Sequence, residues 1–300
     1  MKVRTLFLII PLVFLLIACG SDEEAHQALT VYPNSHLLLD APELAEIMQD
    51  DEILLIDTRA ELTDTLIAGS VHFAAISELT DPDHPVEHFL IGPEAFQEKM
   101  RQIGLNNGDR VVLYDDGNSL AAARLFYALD YYGFSNASIL NGGLSGWVAN
   151  DFPIVDTPET PGEGTFQFAV NEAVSCDINY VMEAADDPNK VIFDARSAAE
   201  YTGDDERAER SGHIPNAVHL EWSNVLADGD IPYFKPAAEI QELFSSRGIT
   251  PDKEVIPHCH TNVRGSHAYF TLRLMGYDSV RPYEGSWSEY GNREDAIIQQ

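Results

Sequence analysis

The feature that most limits what this chain can fold into is a repeat. Residues 111–134, VVLYDDGNSLAAARLFYALDYYGF, and residues 255–278, VIPHCHTNVRGSHAYFTLRLMGYD, follow one pattern. Each runs from a short apolar strand through a polar loop into a long helix. The surrounding order recurs as well. In the first half "ELAEIMQD" is helical, "EILLIDTR" a strand, "PEAFQEKMRQIGL" a helix and "ASILNGG" a strand. In the second, "YVMEAADDPNKVIFDARS" repeats the helix and the strand ending in Asp-x-Arg. There too "AAEIQELFSSRGI" repeats a helix and "VRPYEGSWSEYG" the last strand and turn. Short apolar strands between amphipathic helices predict a mainly parallel sheet flanked by helices, and the repetition predicts two tandem copies of one α/β domain. With 45% hydrophobic residues in 300, the chain can bury two cores. The copies are expected over 36–150 and 173–300. Between them 151–172, rich in Pro, Gly and Thr, reads as a linker.

With "CHTNVRG" set against "DGNSLAA", Cys259 stands opposite Asp116. The first copy then lacks a nucleophile, and the chemistry belongs to the second. A loop between a strand and a helix N-terminus turns successive backbone N–H groups inward, where they cradle an anion. The helix dipole adds positive charge at the same place. Both favour a thiolate at Cys259, and Arg264 adds a fixed charge. His258 and His260 are expected to add charge or to hydrogen-bond a substrate. A zinc site is disfavoured, because adjacent residues such as His258, Cys259 and His260 rarely bind one tetrahedral ion, and no second ligand cluster follows. No metal or other cofactor is expected.

The first residues, MKVRTLFLIIPLVFLLIAC, combine a basic start, an apolar run and small residues before Cys19. They read as an export signal over 1–19 rather than a spanning helix. Leu16-Ile17-Ala18-Cys19 resembles a bacterial lipobox, which implies cleavage before Cys19 and lipidation of its thiol. The absence of aspartate just after Cys19 implies the periplasmic face of the outer membrane. Residues 20–35 read as a polar tether. Of the two other cysteines, Cys176 stands at a helix start with a structural role expected. The formal charge of -31 opposes nucleic-acid binding, and any anionic substrate needs local positive charge.

"DTR" and "DAR", "SGHIPNA", the cysteine loop and "GSW", in this order, resemble the rhodanese superfamily, and in particular its tandem two-domain sulfurtransferases. The resemblance covers nearly all of the chain after the tether. It implies an inactive first domain and a catalytic Cys259 that carries a persulfide. It implies substrate contacts from His260, Thr261, Asn262, Val263 and Arg264. Asp194 and Arg196, which Asp57 and Arg59 repeat in the first copy, are expected to be structural supports. The implied reaction takes a sulfane sulfur from a small anionic donor such as thiosulfate to cyanide or a thiol. The alternatives are 3-mercaptopyruvate as donor and an envelope sulfur carrier without turnover. Phosphatases and arsenate reductases of this fold resemble Cys-x5-Arg, whereas Cys259 to Arg264 is Cys-x4-Arg. Relatives keep an anion-binding arginine where this chain has Glu200, a carboxylate expected to repel thiosulfate. Arg207 and Arg210, in the insertion "GDDERAERSGH", are candidate replacements.

Overall fold

A computed structural model describes residues 31–50 and 52–300. The signal, the lipobox cysteine Cys19 and most of the tether lie outside the described residues.

The first domain is a five-stranded parallel sheet. Its strands are β1 (Leu38–Leu39), β2 (Leu54–Asp57), β4 (Ser70–His72), β5 (Val111–Tyr114) and β6 (Ala137–Leu140), in the order β1-β6-β5-β2-β4. Leu55 and Ile56 of β2 and all of β5 are buried, as expected of strands covered on both faces. The helices α1 (Ala41–Asp50), α2 (Ala75–Glu78), α3 (Pro93–Gln102), α4 (Leu120–Tyr131) and α5 (Gly143–Ala149) connect and flank it. A small antiparallel pair, β3 (Leu66–Ile67) with β7 (Ile154–Val155), lies apart from that sheet.

The second domain repeats the plan. It contains α6 (Ile178–Ala184), β8 (Lys190–Asp194), α7 (Ala198–Thr202), β9 (Val218–His219), α8 (Ala237–Ser245), β10 (Glu254–His258), α9 (Val263–Leu274) and α10 (Ser286–Tyr290). Its parallel sheet has the order β10-β8-β9. Single parallel bridges from Val255 to Val280 and from Tyr283 to Cys176 continue it on the β10 side, in the order of the first domain. Cys176 thus immediately precedes Asp177, whose side chain caps α6 by accepting from the Tyr180 N–H.

Strand register corrects the pairing of Cys259 with Asp116. Asp57 lies beside Tyr114, and Asp194 beside His258. The residue after each strand is therefore Asp115 in one domain and Cys259 in the other. Helices α4 and α9 both have 12 residues, but the loop before α4 has five residues (115–119) and the loop before α9 has four (259–262). One residue is missing from the second loop. By strand pairing the counterpart of Cys259 is Asp115. Asp116 faces it only if the two helices are slid into register.

The two domains meet through α4 and α9. Neither helix has a polar face, since Ala121–Leu129 and Gly265–Leu272 are buried in succession. Phe126 meets Phe270 edge-on at 5.0 Å, Tyr127 meets Tyr269 at 5.7 Å, and the Tyr269 hydroxyl donates to Asp130 at 2.5 Å. The segment expected to be a linker is instead fastened down. Gly164 and Phe166 N–H groups donate to the carbonyls of Arg101 and Leu105, Ala169 N–H donates to Tyr132, and the Phe166 ring is fully buried. At the other end of the chain, Asn34 donates through its N–H to the Leu274 carbonyl at 3.1 Å and through its amide to Arg273 at 2.7 Å. Both carbonyls lie in the last turn of α9, so residues 32–35 belong to the folded body rather than to a tether. Substituting Phe166→Ala should destabilise the protein by about 3 kcal/mol in chemical denaturation. A loss near zero would show the segment to be a free connector.

Candidate active site

The loop that follows β10 is held at both ends. Cys259 receives the Trp287 N–H on its carbonyl at 2.9 Å, and His260 receives the Ser288 N–H at 2.8 Å. The Cys259 N–H donates to Ser286 Oγ at 3.3 Å. At the far end Asn262 adopts a left-handed backbone, φ 57°, and turns the chain into α9. Its side-chain amide donates to Glu284 at 2.6 Å. Gly265 is required here, because a Cβ on it would collide with Asn262 Oδ1.

The two loops differ in what occupies the turn. In the first domain the buried Asp115 carboxylate accepts from the N–H groups of Gly117, Ser119 and Ala121 at 2.9, 3.0 and 3.1 Å. Burial pushes this carboxyl up, against the backbone donors that pull it down. The first domain has thus filled its own anion cradle with a side chain. In the second domain, among the described residues, no protein oxygen accepts from the N–H groups of Thr261 to Gly265. Cys259 is 1% exposed and begins that turn.

Behind both loops stands the same brace. Arg59 Nη2 donates to Asp57 Oδ2 at 2.6 Å, and Arg196 Nη2 to Asp194 Oδ2 at 2.6 Å. Each arginine also donates from Nη2 to a carbonyl across a loop, Thr65 or Gly212, at 2.8 Å. Arg196 further packs over the Trp287 ring, 4.3 Å from its centroid. Asp194 and Arg196 are supports by placement. His258 belongs with them and not with a substrate: it is fully buried, with Nε2 3.6 Å from Asp194, and burial pushes its pKa down.

The expectations for Glu200 and the arginines need correction. Arg264 Nη1 and Nη2 donate to the two Glu200 oxygens at 2.5 and 2.8 Å. Glu200 Oε2 also receives the Ser197 N–H and hydroxyl at 3.0 Å each. Burial alone would raise the Glu200 carboxyl, but Arg264 and Ser197 override it and hold it at about 2. Glu200 is therefore not a free repelling charge, and Arg264 is not a free anion receptor. Burial lowers the Arg264 pKa, but Glu200 and the nearby Cys259 together raise it above the ordinary value. Arg207 joins this pair, 3.5 Å from Glu200 and 3.0 Å from Asp205. Arg210 does not. Its guanidinium is spent on the carbonyls of Tyr290, Gly291, Arg293 and Ala296, so it braces the C-terminal segment instead of binding substrate. Asn262 is buried and turned to Glu284, which leaves His260, Thr261 and Val263 as the partly exposed rim.

Two features were not anticipated. His260 Nε2 lies 3.7 Å from Glu87, on a first-domain segment (residues 81–90) that reaches across to the loop. Burial depresses the His260 pKa. Arg124, 1% exposed in α4, contacts Glu284 and so reaches the same loop from the first domain. A lone arginine in the run "LAAARLFYALDY" was the available signal. Cys176 is placed elsewhere. It lines an interdomain cleft of about 640 Å³ that does not include Cys259. Its S–H donates to the Arg281 carbonyl at 3.4 Å, and burial pushes its thiol up. Among the described residues no group of three His, Cys, Asp or Glu side chains is placed to hold a metal ion.

The Rhodanese-like domain family matches residues 40–150 and 177–293, one copy per observed domain. The chain belongs to the rhodanese family. Its rhodanese relatives include the 3-mercaptopyruvate sulfurtransferase of Escherichia coli K12, 31% identical over 85% of this chain and 95% of that one. The thiosulfate sulfurtransferase of Pseudomonas aeruginosa is 28% identical over 90% of this chain and all of the relative. A crystal structure of the 3-mercaptopyruvate sulfotransferase from Escherichia coli matches with a TM-score of 0.74 at 30% identity, over 84% of this chain and 98% of that one.

Two outcomes follow from this rhodanese site. Gly265→Ala should fold but lose activity about 100-fold in a sulfur-transfer assay, because the displaced Asn262 moves the loop. Retained activity would show that the loop tolerates a shift. The depressed Glu200 carboxyl contributes stability that is complete above its unfolded value and is lost as pH falls toward about 2. The stability gap between the wild type and Glu200→Gln should therefore close as denaturation is followed from pH 5 to about pH 2. A constant gap would mean that the pair does not titrate there.

Proposed function

We propose that this sulfurtransferase moves a sulfane sulfur through Cys259. In the first half-reaction the Cys259 thiolate attacks the outer sulfur of thiosulfate, and an S–S bond forms. The bond between that sulfur and the sulfonate sulfur breaks, and sulfite leaves with the electron pair. In the second, cyanide or a thiolate attacks the outer sulfur of the persulfide, and the Cys259 thiolate is regenerated. The loop N–H groups hold the negative charge as it passes between sulfurs. The observation that carries this reading is the contrast between the loops. The turn whose N–H groups Asp115 fills with its own carboxylate is left without a protein acceptor at Cys259, among the described residues. His260, Thr261 and Val263 form the rim that meets the donor. Arg264 contributes positive charge while staying locked to Glu200, and Arg207 stands at the edge of the pair.

Thiosulfate is the default donor and 3-mercaptopyruvate the alternative, each supported by a relative's name. A ratio of rates for the two decides between them. The lipobox ending at Cys19 supports a lipid anchor at the periplasmic face of the outer membrane. Mass spectrometry after thiosulfate treatment should show one added sulfur on Cys259 and none on Cys176, and repeated thiocyanate release should follow with cyanide. Absence of a persulfide with any sulfane donor would sink the reading. A persulfide without turnover would make the protein a carrier.

A further inference from the structure

We propose that Arg124, from the domain without a nucleophile, is a positioning residue for the Cys259 loop. This rests on the persulfide reading of Cys259. Arg124 donates from Nη1 to Glu284 Oε2 at 3.1 Å and from Nη2 to Glu284 Oε1 at 2.7 Å. Nη2 also donates to the His88 carbonyl at 2.9 Å. Glu284 Oε1 takes the Leu90 N–H at 2.9 Å, and Oε2 takes the Asn262 amide at 2.6 Å. One buried carboxylate thus joins two elements of the first domain to the residue that turns the catalytic loop into α9.

The repeat supplies an internal control. Helix register sets His267 opposite Arg124, and the strand that precedes each last turn sets Asn141 opposite Glu284. The bond from the facing segment is kept, because Asn141 Oδ1 accepts the Phe234 N–H at 3.0 Å, as Glu284 accepts from Leu90. The charge is not kept. His267 lies stacked on Phe234, 5.3 Å between ring centroids, and burial pushes its pKa down to about 3. Among the described residues the ion pair stands only beside the loop that carries cysteine. A buried ion pair is weak as a stability device, since neutral replacements often cost nothing or stabilise. Its presence at one of two equivalent positions therefore points to the loop and its chemistry. Arg124 is also near enough for its charge to interact with the Cys259 thiolate.

The test transplants the neutral pair. Arg124→His combined with Glu284→Asn recreates the arrangement that the first loop already tolerates, and Arg124→Met and Arg124→Lys are measured beside it. With thiosulfate and cyanide, the swapped pair and Arg124→Met should lower kcat about 10- to 100-fold, with the donor KM nearly unchanged. Arg124→Lys should recover part of the rate, because it keeps the charge and loses the two-pronged geometry. The melting temperature of the swapped variant should match the wild type. Wild-type kcat in the swapped variant, with persulfide still forming on Cys259, would overturn the proposal alone. A swapped variant that does not fold would overturn it too, since the pair would then serve the fold. A wild type that never loads sulfur on Cys259 would overturn the sulfur-transfer reading and this proposal with it.

Discussion

The contact between α4 and α9 governs the rest of the molecule. Both helices are buried along nearly their whole length, so each must be covered on every side, and neither sheet alone can do that. They cover one another across the seam through Phe126, Tyr127, Tyr269 and Phe270. Each helix begins at its domain's loop. Burying the pair therefore brings both loops to the interface and puts each within reach of the other domain. Residues 81–90 meet His260 and Glu284, and residues 231–233 close over Gly117 and Gly142. The first domain is a wall of the Cys259 site, not a passive duplicate.

Charge is arranged on this scaffold in closed pairs. Asp194 is held by Arg196, Glu200 by Arg264 and Glu284 by Arg124. In a chain of formal charge -31 such pairing matters, because an unpaired carboxylate near Cys259 would oppose both the thiolate and an anionic donor. Among the described residues no protein oxygen accepts from the N–H groups of Thr261 to Gly265, and these are dipoles suited to a charge that moves.

The strand and helix order, the repeat and the cysteine loop were legible because they are written in local periodicity and spacing. The register at Cys259 was not. Removing one residue from a polar loop leaves the strand pattern and the helix pattern intact, so setting "CHTNVRG" against "DGNSLAA" lines up the helices and slides the cysteine from Asp115 to Asp116 without any conflict. Glu200 read as a repelling charge because its partner Arg264 is distant in the chain and meets it only after folding. Arg207 and Arg210 look alike in sequence. One faces Glu200 and the other faces backbone carbonyls, a difference set by where the C-terminal segment packs. Arg124 was visible as a charge in an apolar helix, yet only the structure shows that it acts on the loop of the other domain.

Asn34 seals the last turn of α9, while Cys259 stands at the first. The two are separated by a helix of 12 residues, about 18 Å long. The first described residues and the cysteine loop therefore hold opposite ends of one rigid element, so a pull on residues 32–35 would act along the axis that ends at Cys259.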